Sequence, residues 1–268
     1  MKVKPKKALG QHFLTDLSVA KRIADTISPH SLCDCREQLG EIPILEIGPG
    51  TGVLTQFLMQ SGRKLQVVEI DDESVEYLHR NYPTLDVREG DFLQISGDSF
   101  FPGEEFALIG NYPYNISSQI FFKLLEMKER IPVCSGMLQR EVAQRICSGP
   151  GSKVYGILSV LLQIWYDCEY LFTVDENVFN PPPKVKSGVI RLIRNSRRPE
   201  DLPCRWEDLR KVVKVSFGQR RKTLRNSLSQ IVGKDNPELG DPMMGRRPEQ
   251  LSPEDFIDLT LRLFPVTQ

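Results

Sequence analysis

Ile42-Pro43-Ile44-Leu45-Glu46-Ile47-Gly48-Pro49-Gly50-Thr51-Gly52 runs from a short apolar segment directly into a turn with glycine at alternate positions. Residues 42–47 read as a buried strand, because the run is short, apolar at nearly every position and bounded by turn residues. The glycines let the backbone turn sharply and approach a ligand where a Cβ would clash. A helix from about Val53 to Gln60 is expected next. A strand, a glycine turn and a helix in this order belong to an alternating α/β chain.

Outward from this stretch the alternation continues. Residues 65–70 (LQVVEI) predict a second strand and 72–81 a helix; 85–88 give a short third strand and 106–109 (FALI) a fourth. A helix over 118–127, with Ser117 or Ser118 as N-cap, precedes a strand over 133–139 and a helix over 140–146. Residues 189–193 (VIRLI) form a last strand, reached through Pro181-Pro182-Pro183. The pattern predicts a parallel, doubly wound sheet that binds ligands at the carboxyl ends of its strands. After Asn195 the texture changes: residues 206–264 are helical, broken by Gly233, Pro237 and Pro242. The expected division is a sheet domain over 1–196, with a basic N-terminal arm, and a small helical domain over 203–268.

Lys plus Arg equals Asp plus Glu at 35 each, so overall charge points to no partner. No stretch approaches the roughly 18 consecutive apolar residues of a membrane span, and no apolar run follows the basic N-terminus. A soluble, cytoplasmic protein is expected. The six cysteines are scattered, and Cys33-Asp34-Cys35 has no second Cys or His cluster near it. Reduced thiols and no metal site are expected.

The glycine turn reads Gly48-x-Gly50-x-Gly52, not the Gly-x-Gly-x-x-Gly of dinucleotide sites, which disfavours a nicotinamide oxidoreductase. Glu69 ends the second strand, where a carboxylate can accept from both hydroxyls of a ribose. Asp91 follows the third strand and can accept from an adenine amino group. Three ligands on successive strand ends make an adenosine pocket; the plainer alternative is a pair of solvated loop carboxylates.

Asn111-Tyr112-Pro113-Tyr114 follows the fourth strand and is the most specific signal of the site. An exocyclic adenine amine is a poor nucleophile, because its lone pair is delocalised into the ring. The Asn111 side-chain oxygen and a carbonyl at Tyr112 or Pro113 can hold both N–H bonds and aim the lone pair at a sulfonium methyl. Pro113 fixes φ and so aims that carbonyl. Tyr114 can stack on the extruded base, a contact worth ~1–3 kcal/mol. Transfer of this kind depends on positioning and electrostatics more than on a strong base.

These motifs, together with LGQHFL (9–14), LEIGPGTGVLT (45–55), VEID (68–71), GDFL (90–93), NYPYNIS (111–117), VFNPPPKVKSGVIRL (178–192), FGQRRKTLRNSL (217–228) and RPEQLSPEDF (247–256), closely resemble the KsgA family of small-subunit rRNA adenine dimethyltransferases. The resemblance covers nearly the whole chain. It implies a class I, Rossmann-like S-adenosylmethionine methyltransferase sheet with a small C-terminal all-helical domain. It implies S-adenosylmethionine as cofactor, and N6,N6-dimethylation of two adjacent adenines in the 3′-terminal hairpin loop of 16S rRNA. The partner it implies is 16S rRNA within a late-assembling small subunit, met by a monomer.

The same resemblance puts cofactor contacts on Gln11, His12, Leu14, Gly48, Gly50, Glu69, Ile70, Asp91, Phe92 and Asn111. Asn111, Pro113 and Tyr114 would hold the target base, with Phe179 as a second aromatic. The chain departs from the family pattern at His12, usually Asn, and at Tyr112, often Leu.

Basic residues cluster in three runs: the arm (Lys2, Lys4, Lys6, Lys7), residues 184–198 with six, and residues 210–225 with seven and no acid. They predict a polarised surface for RNA backbone, with Arg220, Arg221, Lys222 and Arg225 as candidate contacts. The alternatives are an N6-adenine methyltransferase of large-subunit rRNA or DNA, and a non-catalytic ribosome-assembly factor.

Overall fold

The computed structural model describes residues 3–32 and 37–265, so the Cys33–Cys35 loop lies outside the described residues. The chain divides into two compact units, residues 1–143 with 168–194 and residues 144–167 with 195–268. Among the described residues no helix is long and apolar enough to cross a membrane.

The first unit opens with a short strand β1 (Phe13–Leu14) and helix α1 (Leu17–Asp25). Asp16 caps α1 by accepting from the amides of Ser18 and Val19 at 2.8 and 3.2 Å. Strand β2 (Ile44–Ile47) leads through the glycine turn to α2 (Thr55–Met59), then β3 (Leu65–Glu69) and α3 (Asp72–Asn81). Asp71 caps α3 on Ser74, acids occupy the first turn and His79 and Arg80 the last, an order that suits the helix dipole. The chain continues through β4 (Asp86–Glu89), β5 (Ala107–Asn111), α4 (Ser117–Glu126), β6 (Val133–Gln139) and α5 (Arg140–Cys147). Three further strands follow: β7 (Tyr166–Val174), β8 (Phe179–Asn180) and β9 (Ser187–Arg194).

The main sheet has the order β4-β3-β2-β5-β6-β9-β7, while β1 and β8 pair separately. Strands β2 to β6 run parallel, and β2, β5 and β6 are covered on both faces, which explains runs such as Ile44-Leu45 and Ala107-Leu108-Ile109, all 0% exposed; the edge strand β4 is partly exposed along its length. Ala20 and Ile23 of α1 pack with Ile44, Ala107, Ile109 and Val133 in one apolar cluster of this core.

Three expectations are corrected. The sheet is mixed, since β9 runs antiparallel to β6. Strand β7 was not expected, although Tyr-Asp-Cys-Glu-Tyr alternates as a half-exposed edge strand should. Helix α4 is capped by neither serine: Ile116 is its N-cap, Ser117 is already helical, and the Ser117 hydroxyl donates to the Tyr114 carbonyl at 3.3 Å.

The second unit holds α6 (Ile157–Gln163), α7 (Trp206–Gly218), α8 (Leu224–Val232) and α9 (Pro253–Leu263). It therefore takes residues 144–167 as well as the C-terminal segment, where the sequence texture placed them with the sheet. Helix α6 is short and largely apolar, with no helical stripe, so its sequence does not show its neighbours. In the fold it packs on α7 and α9. Tyr155 meets Phe217 edge-on at 6.1 Å, and Phe217 meets Phe256 at 5.9 Å. Helix α9 starts on Ser252 and Asp255, which cap each other's backbone amides reciprocally, with Pro253 at the first turn.

Candidate active site

Strand order dictates where a ligand can sit. From β2 the chain steps outward through β3 to β4, then returns to the other flank of β2 to lay down β5 and β6. The reversal opens a crevice between the carboxyl ends of β2 and β5. Register sharpens this: Ile47 is level with Val68 and Gly110, and Glu69 with Glu89. Gly48, Glu69, Asp91 and Asn111 thus leave their strands close to one level around a cavity of about 280 Å³ that all four line.

On the β2–β4 side the glycine turn is tight. Gly50 has φ +55°, and a Cβ there would stand 2.9 Å from Phe13 Cε1. Its amide donates to Glu69 Oε2 at 3.0 Å, while the amides of Ile70 and Asp71 donate to Oε1 at 2.9 and 3.0 Å. Glu69 is only 4% exposed, and that burial pushes its carboxyl above the usual range against three donors that favour the anion. Asp91 Oδ1 accepts from the Leu93 amide at 2.9 Å. Ile70, 47% exposed, and Phe92 supply apolar wall beside these carboxylates. Two carboxylates for hydroxyl or amino donors, an open main chain at the glycines and apolar flanks suit an adenosine-bearing cofactor.

The β5 side carries the polar motif. Asn111 Nδ2 donates to the His12 carbonyl at 3.2 Å, which turns Oδ1 the other way as a free-standing acceptor. The Tyr112 amide extends the ladder to the Met137 carbonyl at 2.9 Å. Its side chain points away from the cavity: it is 1% exposed, donates from Oη to the Ser135 carbonyl at 2.7 Å and lies edge-on to Phe121. The ring fits because two strand positions beneath it lack side chains. A Cβ on Gly136 would stand 2.6 Å from Tyr112 Cε2, and one on Gly110 3.0 Å from Cε1. Tyr112 therefore does not crowd the pocket. The Pro113 carbonyl accepts from the Ile116 amide at 3.2 Å. Tyr114 is held at its tip by Ser187, Oη to Oγ 2.5 Å, and its ring lies 5.4 Å from that of His12.

The fold gathers most of the expected residues. Gln11, His12, Gly48, Gly50, Glu69, Ile70, Asp91, Phe92, Asn111, Pro113 and Tyr114 all border the one cavity. Leu14 and Phe179 do not. They face each other across the β1–β8 pair, each 4% exposed within the core, and Leu14 borders only a neighbouring space of about 30 Å³ beside Glu46. Pairing two strands the sequence did not reveal is what turns both side chains inward. Sequence reasoning missed Ser187 behind Tyr114, and it missed the anchor of the arm, where Lys6 donates to Asp71 while its amide donates to Gln11 Oε1 at 2.8 Å.

The basic runs separate into used and unused charge. Arg191 donates to the Thr26 and Ser31 carbonyls and to Glu169; Arg194 donates to the Lys128 and Glu129 carbonyls and to Glu105. Lys186 pairs with Asp175 and Arg197 with Glu254. Most of the 184–198 run is thus structural. In the second unit Arg220 reaches the Ser152 carbonyl at 3.3 Å and Arg225 the Leu239 carbonyl at 2.8 Å. Arg210, Lys214, Arg221 and Lys222 are exposed, with no ion pair among the described residues.

The pattern of the family described as ribosomal RNA adenine dimethylase matches residues 2–262. The chain belongs to the ribosomal RNA adenine dimethylase family. Relatives of this dimethylase-family chain include the ribosomal RNA small subunit methyltransferase A of Porphyromonas gingivalis, 61% identical over 98% of this chain and 99% of its own. The protein of the same name from Parabacteroides distasonis is 59% identical over 97% and 94%. Among solved structures, a dimethyladenosine transferase from Plasmodium falciparum shares the fold with TM-score 0.72 at 24% identity, over 92% of this chain and 96% of that one. The 23S rRNA methyltransferase ErmE superposes with TM-score 0.66 at 28% identity, over 94% and 99%. The dimethylase-family sheet thus carries both the glycine turn and the Asn111–Tyr114 motif at the switch point.

Proposed function

We propose that this enzyme dimethylates the N6 amines of two adjacent adenines in the 3′-terminal hairpin loop of 16S rRNA, on an assembling small subunit. The observation that carries the reading is the orientation of Asn111: with its amide nitrogen committed to the His12 carbonyl, Oδ1 is presented as an acceptor. An exocyclic amine has two N–H bonds to place. Asn111 Oδ1 takes one and the Tyr112 carbonyl the other, because the Pro113 carbonyl is already engaged by the Ile116 amide. Two acceptors draw the nitrogen towards tetrahedral geometry and localise its lone pair. Tyr114, tethered to Ser187, offers its ring to the extruded base.

Gly48, Gly50, Glu69 and Asp91 would hold the cofactor S-adenosylmethionine, with Glu69 and Asp91 accepting from its hydroxyl and amino groups. When bound it supplies a methyl group made electrophilic by sulfonium charge. The chain's own contribution is alignment in a site partly closed to water, which suits a displacement limited by orientation. After a first transfer the amine keeps one N–H, enough for one acceptor to hold it through a second.

Recognition of the subunit falls in this reading to the exposed cations Arg210, Lys214, Arg221 and Lys222 of the helical unit. A large-subunit substrate is the competing reading, favoured by the likeness to ErmE; the two relatives near 60% identity weigh for the small subunit. Methylation assays on immature small subunits and on 23S rRNA separate the two. Asn111→Ala and Glu69→Ala are expected to lower turnover by about 10²-fold or more while thermal unfolding of Asn111→Ala stays unchanged. Near-normal turnover in Asn111→Ala refutes the grip on the amine.

A further inference from the structure

Three segments far apart in the chain meet at His12. Its main-chain carbonyl receives Asn111 Nδ2 at 3.2 Å. Its ring nitrogen Nδ1 lies 2.8 Å from the Pro181 carbonyl oxygen. Its ring packs 5.4 Å from that of Tyr114, tilted by 33°. A carbonyl only accepts, so Nδ1 carries the hydrogen in this contact, and the ring is fixed about its Cβ–Cγ axis. Tyr114 is then constrained at two points: its hydroxyl by Ser187, itself 0% exposed, and its ring by His12.

We propose that His12 is a positioning residue for methyl transfer, its imidazole acting as a tethered wedge that sets the plane of Tyr114 for the target base. The inference rests on the reading that Asn111 and Tyr114 grip an adenine. Without the wedge, Tyr114 keeps its hydroxyl tether but swings about it, and the stacked base moves with the ring. Asn111 is unaffected in the same way, because the carbonyl that orients it belongs to the backbone and survives any side-chain substitution at position 12. The consequence falls on the productive alignment of bound base and donor; a cofactor contact at position 12 made through the main chain survives the substitution, as the carbonyl that holds Asn111 does.

Three variants divide the ring from its tether. His12→Ala removes both. His12→Asn keeps a donor, since Nδ2 of asparagine occupies the same place along the side chain as Nδ1 of histidine, but lacks the ring. His12→Phe keeps the ring and lacks the donor. Steady-state turnover on immature small subunits is measured for each, with calorimetric affinity for S-adenosylmethionine in the absence of RNA. His12→Ala should lower kcat about tenfold or more, as expected when reacting groups are misplaced by a fraction of an ångström to an ångström, while cofactor Kd stays within about twofold. His12→Asn and His12→Phe should each recover part of the loss in kcat. An unchanged kcat in His12→Ala overturns the proposal, and so does a loss that appears wholly as weaker cofactor binding. Asn111→Ala, measured alongside, keeps the two ideas apart: if it too is fully active, the grip on the amine fails; if it is inactive while His12→Ala is normal, only the wedge fails.

Discussion

Glu46 makes the stability of the sheet unit depend on pH in a direction opposite to most carboxylates. It sits on β2, 1% exposed, and its Oε2 accepts the Thr55 hydroxyl at 2.7 Å. Burial, with a smaller repulsion from Glu69, pushes its pKa up to about 8 from 4.5. The folded state therefore holds the proton more tightly than the unfolded chain does. The associated stability is fully present below about pH 4.5 and is lost as pH rises through about 8. A separation of about 3.5 pH units, at ~1.36 kcal/mol each, sets an upper figure of ~5 kcal/mol. Glu46→Gln keeps an acceptor for Thr55 and has no charge to bury. Between about pH 5 and about pH 7.5 the parent should lose ~3 kcal/mol relative to this variant, a slope of ~1.4 kcal/mol per pH unit. Urea unfolding followed by circular dichroism suits the assay, because both tryptophans, Trp165 and Trp206, lie in the helical unit and would report on that unit instead. A stability difference between the two proteins that does not change with pH refutes the reasoning.

Gly136→Ala should destabilise the sheet unit by ~1–3 kcal/mol in the same unfolding assay, since the new Cβ overlaps the Gly110 carbonyl oxygen and presses on the Tyr112 ring; a change within ~0.5 kcal/mol contradicts the packing account. Charge reversal at Lys214, Arg221 and Lys222 should weaken binding to immature small subunits and flatten its salt dependence, by roughly one released counterion for each phosphate no longer neutralised. A salt slope equal to that of the parent protein excludes these residues from the RNA surface.

How much of this was legible in the sequence depended on whether a signal was local. Helix α3 spans Asp72–Asn81 as its pattern predicts, because Asp71 caps it, acids open it and basic residues close it within one short segment. The strand ends bearing Gly48, Glu69 and Asn111 were legible for the same reason: parallel strands buried in the sheet announce themselves as apolar runs. Strand β7 and helix α6 were missed, the first because an edge strand is only half apolar, the second because a short apolar helix looks like any buried segment. The 184–198 run shows the opposite failure. Its charges look available until Arg191 and Arg194 are seen closing backbone carbonyls of other segments.

By itself the sequence determined the alternation that makes the sheet, the spacing that distinguishes the glycine turn from a dinucleotide site, and the Asn-Tyr-Pro-Tyr motif with its two acceptors. Each of these is written in neighbouring residues, where backbone geometry and local hydrogen bonding act. Only the tertiary structure decided that Tyr112 faces the core over Gly110 and Gly136, that Leu14 and Phe179 turn inward as a cross-strand pair, and that His12 joins Asn111, Pro181 and Tyr114. Those outcomes depend on which side chains meet across distant segments, and packing settles that only when the sheet has closed.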